Sequence, residues 1–145
     1  MERPVEDERR LQHADVTRAI LKCAFDVAGE LGAGFLESVY ERAMELALRG
    51  AGLSVERQTP IDVQFRGQSV GEFYADLLLE HVVILELKAV QALMPEHKSQ
   101  VIHYLRATGI EVGLLINFGA TKIKEGITRV VSGLEEGVTP SRQDR

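Results

Sequence analysis

The chain has 145 residues, 45% of them hydrophobic and 27% charged, with a formal net charge of −5 and one cysteine. That composition belongs to one ordinary globular domain; its acidic balance excludes a protein that coats nucleic acid through bulk positive charge, and a lone cysteine excludes an internal disulfide or any cysteine-based metal site. The run Val82–Leu85 is far too short to span a membrane and no apolar signal segment opens the chain, so a cytoplasmic location with no membrane partner is expected.

Residues 1–12 carry seven charges in their first ten positions without an apolar period, and read as a mobile charged tail. A single domain is expected over residues 13–131. Its first helix starts near Asp15 as N-cap and presents Ile20, Cys23, Ala24, Val27 and Leu31 on one buried face. Leu31-Gly32-Ala33-Gly34 breaks it. A second helix, 35–49, carries the wide apolar stripe Leu36, Val39, Tyr40, Ala43, Met44, Ala47 and Leu48 and stops at Gly50. From Leu53 the period becomes two. A short strand is expected at 55–58, an interruption or a sheet edge at Pro60, strands at 61–65 and 70–79 about the turn Arg66-Gly67-Gln68, and another at 82–89. Pro95 fits the first turn of a helix that ends at Thr108. Glu111–Asn117 reads as a buried strand, 118–125 as a loop carrying Lys122 and Lys124, 127–131 as a short strand or helical turn, and 132–145 as a disordered tail. The strand–helix–strand step through Pro95–Thr108 calls for a parallel crossover. The fold class is therefore α/β (α+β layered), a mixed sheet with helices on both faces.

The most apolar stretch, Phe73–Val90 (FYADLLLEHVVILELKAV), is interrupted by Asp76, Glu86 and Lys88. Charges in core strands are costly unless paired or bound to a cation. Hard divalent cations such as Mg²⁺ or Mn²⁺ take carboxylate and carbonyl oxygens, which makes Asp76, Glu86 and the Leu87 carbonyl candidate ligands. If the turn is odd in length and centred on His81, Asp76 lies opposite Glu86, and Lys88 shares that face. A two-residue turn at Glu80-His81 would instead pair Asp76 with Leu85 and send Glu86 to the other side. On the functional reading Lys88 positions or deprotonates an attacking water and offsets transition-state charge. The duller reading is a Glu86–Lys88 surface ion pair at a strand end.

In the following helix His97, Gln100 and Tyr104 form one polar stripe suited to a phosphate site, or an ordinary solvated face; His103 reads as neutral surface. Glu37, in the first turn of its helix, is explained by the helix dipole or as a third carboxylate facing the metal.

Gly34-Phe35-Leu36-Glu37-Ser38-Val39-Tyr40 has the form GxxExxY, and Ala75-Asp76, Glu86-Leu87-Lys88, Gln100…Tyr104 and Leu114-Leu115-Ile116-Asn117-Phe118-Gly119 follow in order. Over Val16–Val131 this series resembles the GxxExxY family of the PD-(D/E)XK nuclease superfamily. The resemblance implies a restriction-endonuclease-like core of helix, three-stranded meander, helix and strand. It also implies metal-dependent phosphodiester hydrolysis, with Asp76 and Glu86 as ligands, Lys88 as the catalytic lysine and Glu37 as the helical acid that completes the site. Gln100 and Tyr104 look like the QxxxY element of the recombination helicase-nuclease branch. Nucleases of that branch often carry cysteine-ligated iron–sulfur clusters, which one cysteine cannot support.

The expected function is a Mg²⁺- or Mn²⁺-dependent nuclease acting on nucleic acid, DNA at ends or in single strands, with His97, Lys98, Arg106, Lys122 and Lys124 as candidate phosphate contacts. The alternative is a catalytically silent nucleic-acid or protein adaptor on the same fold. A homodimer is compatible with either.

Overall fold

The computed structural model describes the backbone of residues 2–132 and the side chains of residues 13–132. The tail expected beyond Ser132 lies outside the described residues. The element order is α1 (Glu2–Leu31), α2 (Glu37–Gly50), β1 (Val55–Phe65), β2 (Gln68–Leu79), β3 (Val83–Lys88), α3 (Pro95–Thr108), β4 (Val112–Asn117), a short 3₁₀ turn (Ile123–Gly126) and β5 (Ile127–Val131). The helix expected to begin at Asp15 begins at Glu2, through the stretch read as a tail. Asp15 lies inside it and bonds Arg18 one turn on, at 2.8 Å, rather than capping a helix end.

One sheet holds the five strands in the order β1-β2-β3-β4-β5. β1, β2 and β3 form an antiparallel meander, β4 runs parallel to β3 through the α3 crossover, and β5 returns antiparallel to β4. The last segment is thus a strand. Pro60 does not divide β1: it pairs with Tyr74 inside one continuous strand, and as β1 is an edge, a residue without an N–H is tolerated there.

Two apolar layers cover the sheet. Ile20, Ala24 and Val27 of α1 and Tyr40, Met44 and Leu48 of α2 pack on Val55, Leu77, Leu79, Leu85 and Leu87. On the opposite face, Val101, Tyr104 and Leu105 of α3 pack on Ile61, Ala75, Leu78, Ile84 and Leu115. Alternate residues of a strand share a face, yet Ala75 faces α3 while Leu77 faces α1 and α2. The β1–β2 ladder accounts for it: Arg57 pairs with Leu77 and Thr59 with Ala75, but Gln58 and Asp76 between them do not pair. Gln58 there adopts φ 48°, a left-handed conformation unusual outside glycine. Both strands change face at this position, and Asp76 is released from β1.

The GxxExxY tyrosine has a structural duty. Tyr40, fully buried, donates its hydroxyl to the Gly32 carbonyl at 2.5 Å and accepts from the Phe35 amide at 3.2 Å. Its ring stacks on Phe118 with centroids 4.6 Å apart. It thereby fixes the α1–α2 loop and, with it, the first turn of α2 that carries Glu37.

Candidate active site

The β2–β3 register decides the site. Leu79 pairs with Val83, Leu78 with Ile84 and Leu77 with Leu85, which leaves three residues, Glu80–Val82, in the turn. Glu80 and His81 both take left-handed conformations, φ 53° and 60°, and the Glu80 carboxylate accepts the Ser54 amide at 2.6 Å. The turn is therefore odd and centred on His81, and the next positions along the ladder are Asp76 and Glu86. There the carboxylates take over from the backbone. The Asp76 amide donates to Glu86 Oε2 and the Leu87 amide donates to Asp76 Oδ2, both at 2.8 Å. Each acid is pinned to the other strand, with one oxygen of each, Asp76 Oδ1 and Glu86 Oε1, left for a further partner.

The pair is electrostatically unfavourable as it stands. Burial is the main cause that pushes Asp76 above its ordinary value; the Leu87 amide opposes it, and the charges of Glu41 and Glu37 add to it. Burial, then the charge of Asp76, pushes Glu86 up as well. The Lys88 charge acts in the opposite sense on both. Among the described residues no ion pair joins Lys88 to either acid, so the Glu86–Lys88 pair of the duller reading is not formed. Glu37 is exposed at the start of α2. Glu41, one turn on, is buried and held by Arg57 and Gln58 at 3.1 and 3.0 Å. The described residues contain no group of three or more His, Cys, Asp or Glu placed to hold one ion: the structure assembles Asp76 with Glu86 and leaves Glu37 outside the pair. Two converging carboxylates with free oxygens nevertheless fit Mg²⁺ or Mn²⁺. Such ions use one or two protein carboxylates and keep sites for water and phosphate.

A pH dependence follows. Raised carboxyls hold protons in the folded chain at pH values where the unfolded chain, with ordinary carboxyls near about 4, has lost them. The ion-free fold is thus favoured below that range and loses this contribution as pH rises through the raised values. Thermal melting in EDTA is expected to show greater stability at mildly acidic than at mildly alkaline pH. The Asp76→Asn/Glu86→Gln variant should lack this component, and Mn²⁺, which favours the ionised forms, should reverse it.

Beneath the site, a residue without an assigned role in the sequence reading ties the strand ends together. Asn117, 2% exposed, pairs with Lys88 in the parallel ladder. Its Oδ1 accepts the Val90 and Gly119 amides at 2.9 and 3.0 Å, and its Nδ2 donates to the Val90 carbonyl at 2.9 Å. The amide side chain thus extends the β3–β4 pairing past Lys88. A buried asparagine closing an apolar strand was the available signal. Gln58, whose break frees Asp76, had no comparable signal.

On α3, Gln100 Nε2 donates to the Tyr104 hydroxyl at 3.0 Å. Burial, then the charges of Glu86 and Asp76, holds that hydroxyl above its usual pKa, so it stays neutral. His97 has a capping duty, its Nδ1 accepting the Met94 amide at 2.9 Å. Lys98 is exposed on α3, and Lys122 and Lys124 are exposed in the segment after β4, at the sheet end where Lys88 sits. Arg106 lines a separate groove with Pro60, Ile61 and Asp62 of β1. No described helix is long and apolar enough to cross a membrane.

A family model described as PD-(D/E)XK nuclease superfamily matches residues 14–130. Among solved structures, one titled "Crystal structure of SSO0001" is similar at 18% identity and a TM-score of 0.54, over 70% of this chain and 52% of the other. At that identity the likeness concerns the fold, and this chain spans about half the length of that protein. No curated protein gives a match.

Proposed function

The chain belongs to the PD-(D/E)XK nuclease superfamily, and from that premise we propose that it is a Mg²⁺- or Mn²⁺-dependent nuclease of the GxxExxY branch, acting on DNA at ends or in single strands. The observation that supports this most is the Asp76–Glu86 pair, Glu86 buried and Asp76 partly buried, each acid fixed by the other strand's backbone and neither relieved by an ion pair among the described residues. Asp76, Glu86 and the Leu87 carbonyl would hold the ion, with Glu37 of α2 as a third carboxylate, and the ion would supply Lewis acidity toward a phosphoryl oxygen.

Lys88, on the same strand two residues beyond Glu86, orients the attacking water and offsets the charge that builds on the phosphoryl oxygens. Tyr104, kept neutral, donates toward the phosphate with Gln100 fixing its hydroxyl. His97, Lys98, Arg106, Lys122 and Lys124 make phosphate contacts, which local positive charge permits despite the acidic whole. The test is cleavage of labelled single-stranded and duplex oligonucleotides with Mg²⁺, Mn²⁺ or EDTA. Cleavage that requires the divalent ion is expected; none under any ion condition would favour the adaptor.

A further inference from the structure

We propose that the cavity between β1, β2 and α3 seats one unstacked nucleobase of the bound strand, with Phe73 as its stacking surface; this rests on the nuclease reading and names how the substrate is held. The cavity, about 310 Å³, is lined by Val63, Phe73, Glu96, Ser99, Gln100, His103 and Tyr104. That is the low end of small-ligand sites, which run from about 300 to 1,000 Å³, and suits a single planar ring system.

Phe73 is 50% exposed although it lies on the α3 face of β2. Its ring is tilted 40° to Tyr104 at 6.3 Å between centroids, so its face is not covered by that neighbour. Gly71 lies beside the Phe73 ring: a Cβ there would rest in van der Waals contact with the ring edge at 3.4 Å. Ser99, Gln100 and His103 give the apolar seat a hydrogen-bonding rim. His103, which the sequence marks only as surface, therefore shares a cavity with the Gln100–Tyr104 pair.

What identifies the occupant is continuity with the acids. Tyr104 belongs both to the cavity wall and to the field of Asp76 and Glu86. Phe73 precedes Asp76 by three residues of strand, about 10 Å, within reach of a nucleotide flanking the one cut. A base inside a duplex is stacked on its neighbours and cannot enter, so the seat selects single strands or frayed ends.

The experiment titrates the protein into a single-stranded oligonucleotide carrying 2-aminopurine, once with Ca²⁺ and once with EDTA, and repeats it with a duplex probe. Wild type is expected to quench the probe base and to prefer the single strand. Phe73→Ala should bind about 5- to 150-fold more weakly, the range of one aromatic–base stack, and lose the quench; Phe73→Tyr should keep both. Because Phe73 is half exposed, Phe73→Ala is expected to melt as wild type does and to retain Mn²⁺ binding. Quenching by a wild type that binds no Mn²⁺ would uphold the base seat and remove only the metal reading. Wild-type affinity and quench in Phe73→Ala, or no quench by wild type in either condition, would overturn it in favour of a protein side chain as occupant.

Discussion

Glu86→Gln is expected to abolish cleavage while making the ion-free protein more stable at neutral and alkaline pH. The two effects separate because Glu86 does two things. Its Oε2 accepts the Asp76 amide, and a glutamine carbonyl can still accept it, though as a weaker acceptor than a carboxylate. The charge is what the fold bears unwillingly, since burial and Asp76 both disfavour it. Removing the charge relieves the fold and removes a ligand. Lys88→Ala should lower the rate by about 10²- to 10⁴-fold, the usual range for a group acting on the proton or charge of the transition state, without loss of Mn²⁺ binding. Rates from a gel assay and melting temperatures from circular dichroism check both variants. Unchanged cleavage in Lys88→Ala would remove that residue from the mechanism.

The second large effect is structural. Asn117→Ala leaves the Val90 amide, the Val90 carbonyl and the Gly119 amide without their partner. A buried unsatisfied group costs about 1–3 kcal/mol and these are partly buried, so a loss of up to about 3 kcal/mol is expected, at most roughly 10 °C in melting temperature for a chain of this size. Water entering the gap would reduce it. Gly119 belongs to the same joint: an added Cβ would lie 2.2 Å from the Val90 carbonyl oxygen and 2.7 Å from its nitrogen, which are backbone atoms with no rotamer to yield. Because Lys88 pairs with Asn117 across the parallel ladder, the Asn117→Ala variant should also lose activity beyond what its unfolded fraction explains. Chemical denaturation alongside the cleavage assay measures both.

Much of this architecture is legible in the residues. The apolar periods of α2 and α3 mark those helices to within two residues, and the apolar runs Val82–Leu85 and Val112–Ile116 mark buried strands, because burial on both sides leaves a continuous signal. The opposition of Asp76 and Glu86 is likewise readable once the turn about His81 is taken as odd. What escapes depends on contacts between distant elements. Pro60 looks like an end, and only the edge position of β1 makes it an interior residue. The face change at Gln58 and Asp76 breaks the alternation on which strand reading rests. Tyr40 closes the GxxExxY series but works as a clasp on the α1–α2 loop, a duty set by Gly32 and Phe118. Phe73 looks like one more core aromatic until α3 leaves half of it uncovered. Glu37 is named by the motif, and in the ion-free fold it is exposed at the start of α2, where its charge acts on both Asp76 and Glu86.

The central claim is that Asp76, partly buried, and Glu86, buried, are brought together to hold a divalent ion. Calorimetric titration with Mn²⁺ tests it most directly, run in two buffers of different ionisation enthalpy so that released protons are counted. Saturable binding is expected, with proton release that grows toward mildly acidic pH as ligation displaces protons from the raised carboxyls. That binding should be lost in Asp76→Asn/Glu86→Gln and retained in Lys88→Ala. Absence of saturable binding in the wild type, or binding that survives unchanged in the double variant, would contradict it.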